Sequence, residues 1–312
     1  MPGPWKLPLN HHPPPITAQS RLGPGLVMAL TGAIAFSGKA IIVKVAYRYG
    51  VDAVTLIMLR MLFALPFFLL MGWWSSRGRP PLTGRDWAGV LGLGFIGYYL
   101  SSFLDFAGLQ YISASFERLI LYLTPTLVLL LGWLAYGKRV ARLHIAGIAV
   151  SYCGVLLVFG HEVGTQGPQA AWGTLLVFAS AVTYAVYLVY SGQLVQRLGS
   201  LRLVGLATSV ACGCCLLQFA LLRPMTVALQ VAPQVVWLSV LNATVCTALP
   251  VLLVMMAIER LGPAMTAQAG MVGPISTIAL GVVILGEPFT VWVAAGTVLV
   301  ITGIFVFSRA GR

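Results

Sequence analysis

The sequence predicts an all-α integral membrane protein with ten transmembrane helices arranged as two inverted five-helix repeats. Three observations predict it: a composition almost devoid of charge, ten long apolar runs, and a Gly/Pro pattern that recurs in one register. Of 312 residues, 59% are hydrophobic and 8% charged, against roughly 25% charged in a soluble domain. A soluble chain so poor in charge has no polar surface to show water. The composition therefore excludes a soluble globular enzyme, a disordered tail and a nucleic-acid-binding module, although the net charge is +12.

The elements follow in order. Residues 1–24 form a Pro-rich tail with no apolar core, which is not a cleavable signal peptide. His11 and His12 lie in it and are read as solvated rather than metal-binding. The first repeat, residues 25–160, holds spans 25–47, 53–74, 87–107, 113–136 and 143–160. A linker, 161–170, leads to the second repeat, residues 171–308, with spans 171–191, 201–222, 233–257, 263–285 and 289–308. Each span is near the about 20 apolar residues a bilayer requires. Stretches 77–81, 137–142 and 164–168 carry turn chemistry or charge. A membrane barrel would alternate polarity over short stretches, whereas these runs are continuous.

The charges orient the chain. With the N-terminus in the cytoplasm, thirteen cations fall on that side, among them Arg77, Arg79, Arg85, Lys138, Arg139 and Arg202. Only Arg48 and Arg223 fall in the opposite loops. The positive-inside bias then places both termini in the cytoplasm and accounts for most of the positive charge.

The repeat is read from glycines. At a constant offset of 149 residues, Pro125 meets Pro274, and Gly132, Gly137, Gly147 and Gly154 meet Gly281, Gly286, Gly296 and Gly303. A five-span unit reverses direction on repetition, which is the inverted architecture of many secondary transporters. Most of these glycines are expected to serve close helix packing. Pro125 and Pro274 fall inside spans 4 and 9 and are expected to kink them, with Thr124 and Thr126, or Gly270 and Gly273, easing the break.

These features are carried by GLQYISASFERLILYLTPTLVLLLGWLAYGKRV with HIAGIAVSYCGVLLV, and by LGPAMTAQAGMVGPISTIALGVVILGEPFTVWVAAGTVLVITGI. The chain resembles the drug/metabolite transporter superfamily, specifically its EamA-type members, over roughly residues 25–308. Arg60, in LRMLFALPFFLL, resembles an arginine often found in the second helix of that family. One departure is Gly137–Lys138 where the family often has Gly-Glu; the second copy keeps Gly286–Glu287. The resemblance implies a small-metabolite transporter of the cytoplasmic (inner) membrane, exporting amino acids or related zwitterionic or anionic solutes through a central cavity.

Charge inside the bilayer costs roughly 2.5–3.5 kcal/mol per residue on insertion scales and marks function by default. Lys39, Lys44, Arg60, Asp105, Glu117 and Arg118 lie within the first-repeat spans without charged counterparts in the second. Ser115, Arg118, Tyr122 and Pro125 share one helical face, as do Tyr98, Ser102 and Asp105. Tyr184, Tyr187 and Ser191 make a third stripe. Lys39, Arg60, Arg118, Tyr98, Tyr122 and Tyr187 are the candidate substrate contacts. Asp105 and Glu117 are candidate ion-pair and coupling groups, with Arg118 expected to meet Asp105 and either Lys39 or Arg60 to meet Glu117.

Two further functions fit the residues: an organic-phosphate or anion exchanger, and a non-transporting accessory subunit. No HExxH, GxSxG or P-loop is present, so neither an enzyme nor a primary pump is predicted, and no cofactor or metal is implied. The five cysteines sit in apolar runs and are read as buried hydrophobes. The expected partners are a small-molecule substrate and the lipid bilayer; a homodimer is compatible with the sequence.

Overall fold

A computed structural model describes residues 18–136, 142–261, 263–270 and 272–309. The His11–His12 pair and the Gly137–Lys138 departure lie outside the described residues. Every regular element among the described residues is helical.

Helix α1 spans Ala18–Tyr47 and α2 spans Ala53–Ser76. The Asp52 carboxylate starts α2 by accepting from the Val54 and Thr55 N–H groups, two donors that the first turn would otherwise orphan. Thr83 and Asp86 form a capping box at the start of α3, Gly84–Gly108. The fourth span is two helices, α4 (Ala114–Leu121) and α5 (Thr124–Tyr136). Then come α6 (Arg142–Gln166) and α7 (Gln169–Leu198), so the chain turns between its halves at Gly167–Pro168.

The second half continues with α8 (Ser200–Leu222) and a short α9 (Met225–Leu229). Helix α10 (Pro233–Ala243) runs through π-helical Thr244–Ala248 into α11 (Leu249–Leu261). Helices α12 (Pro263–Gly270), α13 (Val272–Leu280) and α14 (Val291–Arg309) complete it, with π-helical Gly281–Leu285 extending α13. Among the described residues, eight of the helical runs are long and apolar enough to cross a membrane, and Val272–Leu285 and Val291–Val306 are shorter apolar helices in the last two places.

The halves pack as inverted copies. Helix α2 lies on α8 and α6 on α14, each pair joining equivalent spans, while α1 on α11 has its counterpart in α7 on α3. The Ser151 hydroxyl approaches the Val300 carbonyl, its equivalent 149 residues on. The repeat glycines make the contact. A Cβ on Gly154 would stand 2.8 Å from the Gly296 carbonyl oxygen, and one on Gly303 2.6 Å from that of Gly147. Their packing role is what the sequence predicts.

Polar contacts define two faces of the bundle. On the far face, Lys44 reaches the Leu109 and Ile112 carbonyls, Arg48 that of Leu285, and Arg223 the Asp52 carboxylate. On the near face, Arg197 meets Asp86, and Arg202 meets Ser76 and the Pro80 carbonyl.

Pro125 follows an interruption in its span. The fourth span is interrupted at Tyr122–Leu123, and Pro125 stands in the first turn of α5, where its missing N–H costs nothing. Thr124 and Thr126 donate hydroxyls to the Leu121 and Leu123 carbonyls at 2.6 and 2.7 Å, satisfying acceptors the break frees. Pro274 lies within α13, and Met271, just before that helix, lies outside the described residues. The cysteines divide: Cys212, Cys215 and Cys246 are buried, Cys214 is half-buried, and Cys153 is exposed, against expectation. It lies on the outer side of α6, where an apolar side chain needs no protein cover.

Candidate functional site

The fourth and ninth spans bring candidate residues to the interface between the halves. Helix α4 packs on α13 and on α7, α5 packs on α7, and α12 and α13 both pack on α1, with α12 also against α11. The far parts of the fourth and ninth spans thus meet at the interface between the halves.

At the centre lies an ion cluster. Lys39 of α1 stands eight residues from the far end of its helix, about 12 Å at ~1.5 Å per residue. Its ammonium lies 2.5 Å from Asp105 of α3 and 3.5 Å from Glu117 of α4. All three side chains are almost wholly buried. The Asp105 Oδ1 atom and both Glu117 oxygens have no hydrogen-bond partner among the described residues. Two carboxylates share one cation.

Arg118, the next residue, points elsewhere. Its Nε donates to the Thr277 hydroxyl of α13 at 2.9 Å and its Nη2 to the Phe36 carbonyl at 3.4 Å, with the guanidinium over the Phe36 ring. The expected Arg118–Asp105 pair does not form, because Lys39 occupies the aspartate from α1. Arg60 lies over the Phe106 ring and donates from Nε to the Thr247 hydroxyl at 3.1 Å; it does not meet Glu117. Its Nη1 is buried without a partner among the described residues.

The predicted face of α4 holds up to the break. Ser115, Arg118 and Tyr122 all contact the second half, through Glu287, Thr277 and the Gly270 carbonyl. The Tyr122 hydroxyl donates to the Gly270 carbonyl at 2.8 Å, joining the break in the fourth span to the ninth span. Tyr98 and Tyr187 are brought together away from the ion cluster, hydroxyls 3.2 Å apart, with Tyr184 stacked on Tyr187.

Two residues outside the candidate set complete the far side. Glu287 accepts from the Ala114 and Ser115 N–H groups and from the Ser115 hydroxyl, at 2.7, 3.1 and 2.7 Å. It reaches them by folding back over Gly281, where a Cβ would stand 2.8 Å from its carboxylate, after a left-handed turn at Gly286 (φ 71°). Glu162 binds the Ser113 hydroxyl and N–H from the last turns of α6. The retained Gly-Glu pair was the sequence clue to Glu287; the placement of Glu162 in a linker hid its role.

A family model described as the EamA-like transporter family matches residues 23–160 and 171–309. The uncharacterized transporter YcbK of Bacillus subtilis is 30% identical over 277 residues, covering 84% of this chain and 86% of its own. A second uncharacterized transporter of that organism, YetK, is 26% identical over 285 residues, covering 90% of this chain and 86% of its own. A solved crystal structure shares the fold with a TM-score of 0.62 at 20% identity, covering 92% of this chain and 96% of its own.

Proposed function

We infer a function from one premise: this chain belongs to the EamA-like transporter family and is a multi-pass membrane transporter. Its solute, we propose, is a small metabolite with a carboxylate, an amino acid or close relative, carried by a secondary mechanism between the two halves. The supporting observation is the buried charge at the α1–α4–α13 interface. Lys39 faces two carboxylates, while Arg118 and Arg60 face hydroxyls, carbonyls and rings. The cations are therefore those with donors to offer a solute carboxylate, and the doubly acidic partner of Lys39 is the group suited to receive an ammonium or a proton. Discontinuous helices at such an interface are where transporters of inverted-repeat design hold their solutes.

In this mechanism the α4–α13 contact is the far-side closure and the Tyr122–Gly270 bond ties the break in the fourth span to the ninth span. Rocking of the halves would exchange the far-side contact for a near-side one. The arginines of the near face favour cytoplasmic termini in the inner membrane, and export is the direction implied by the family resemblance. Tyr98 and Tyr187 stand as wall residues of the path.

Purified protein in liposomes tests the proposal. Vesicles preloaded with each amino acid, or with organic phosphates, are assayed for counterflow of labelled solute. Counterflow of an amino acid competed by other amino acids supports the reading, and competition by phosphate esters alone assigns the anion-exchange alternative. No flux from the purified chain assigns the accessory-subunit reading.

A further inference from the structure

The far face holds a cavity of about 530 Å³ that the buried cluster does not use. Its size falls within the range of roughly 300–1,000 Å³ usual for small-molecule sites. Both halves line it: Lys44 and Arg48 from α1, Glu162 from α6, and Glu287 from the loop before α14.

The charges in this cavity are not equally engaged. Both carboxylates accept three local bonds, most of their capacity: Glu287 from the first turn of α4, Glu162 from Ser113 and Gln166. The cations use a smaller share of theirs. Lys44 gives two N–H bonds to the Leu109 and Ile112 carbonyls, and an ammonium has three to give. Arg48 gives one N–H to the Leu285 carbonyl, and a guanidinium has five. Among the described residues the remaining N–H groups have no partner. A net-neutral cavity whose anions are occupied and whose cations keep free donors is built for a carboxylate attached to an otherwise neutral or zwitterionic body.

The cavity also adjoins the helix that carries the buried charges. Ser115 lines it and holds Glu287 on its floor, and Glu117 and Arg118 follow within one turn of the same helix. We propose that this cavity is a second docking station for a carboxylate-bearing amino acid, with Lys44 and Arg48 as its anchors, separated from the buried cluster by the Glu287 bridge. This rests on the proposed solute class.

Its test does not depend on flux. Gln110, an exposed lining residue, is replaced by Cys in a Cys153→Ser, Cys214→Ser background and labelled from the far face with a membrane-impermeant methanethiosulfonate. Each of the twenty amino acids is tried as protectant, with acetate and phosphate as controls. The proposal expects at least one amino acid to slow labelling severalfold, and the protection to be lost in Arg48→Gln but retained in Arg48→Lys. No protection by any amino acid overturns it, as does protection that survives Arg48→Gln. Flux without protection sinks the docking station and leaves the transport reading intact; protection without flux does the reverse.

Discussion

Substituting Met for Lys39 leaves two buried carboxylates facing each other with no ammonium between them. At an effective dielectric of about 20, the contact at 3.5 Å is worth roughly 5 kcal/mol of attraction, and the 2.5 Å contact more. Desolvation of three charges and repulsion between the acids offset most of that gain. What remains on removing one partner is the penalty for stranding buried charge, about 3–5 kcal/mol. Lys39→Met should therefore melt several degrees below the wild type in detergent. The triple variant Lys39→Met, Asp105→Asn, Glu117→Gln should recover most of that loss, since neutral amides strand no charge. Neither variant should transport. Intrinsic fluorescence during heating reads both melting temperatures. A triple variant no more stable than Lys39→Met would refute the argument, because the loss could not then come from the two carboxylates.

Three other outcomes follow. Tyr122→Phe removes the hydroxyl that joins the fourth span to the ninth and should cost about 1 kcal/mol of stability; counterflow should change in rate with little change in KM. Gly303→Leu places a side chain where a Cβ alone would stand 2.6 Å from a backbone oxygen of α6, so it should cost about 1–3 kcal/mol or more and lower the yield of monodisperse protein. Burial acts to raise the pKa of Asp52, in the loop before α2, but hydrogen bonds from Thr55 and Val54 and the charge of Arg223 outweigh it and hold it below the ordinary carboxylate range. Its contribution to stability is thus present above about pH 4 and lost as the pH falls through its lowered folded value. Melting curves between pH 6 and 3 should show a steeper decline for wild type than for Asp52→Asn.

Much of the architecture was legible because bilayer physics writes it into composition. Long apolar runs fix the helices, and the glycines of α6 and α14 betray the repeat because those helices touch backbone to backbone. The site was legible in its membership but less so in its pairing. Lys39, Asp105 and Glu117 could be singled out because charge in an apolar span is costly. That Lys39 takes both acids, while Arg118 turns to Thr277, depends on the crossing of α1, α3, α4 and α13, which no local pattern encodes. Pro125 marked the neighbourhood of the interruption at Tyr122–Leu123, but a proline in a first turn and one in mid-helix look alike until the helix start is known. Glu162 escaped notice because α6 continues past the apolar stretch that its composition defines.

Counterflow by the purified protein, compared with its Arg118→Ala and Lys39→Ala variants at equal reconstitution, tests the central claim that solute passes along the α1–α4–α13 interface. The account predicts amino-acid exchange by the wild type and its loss in both variants. Wild-type rates in both variants would contradict it.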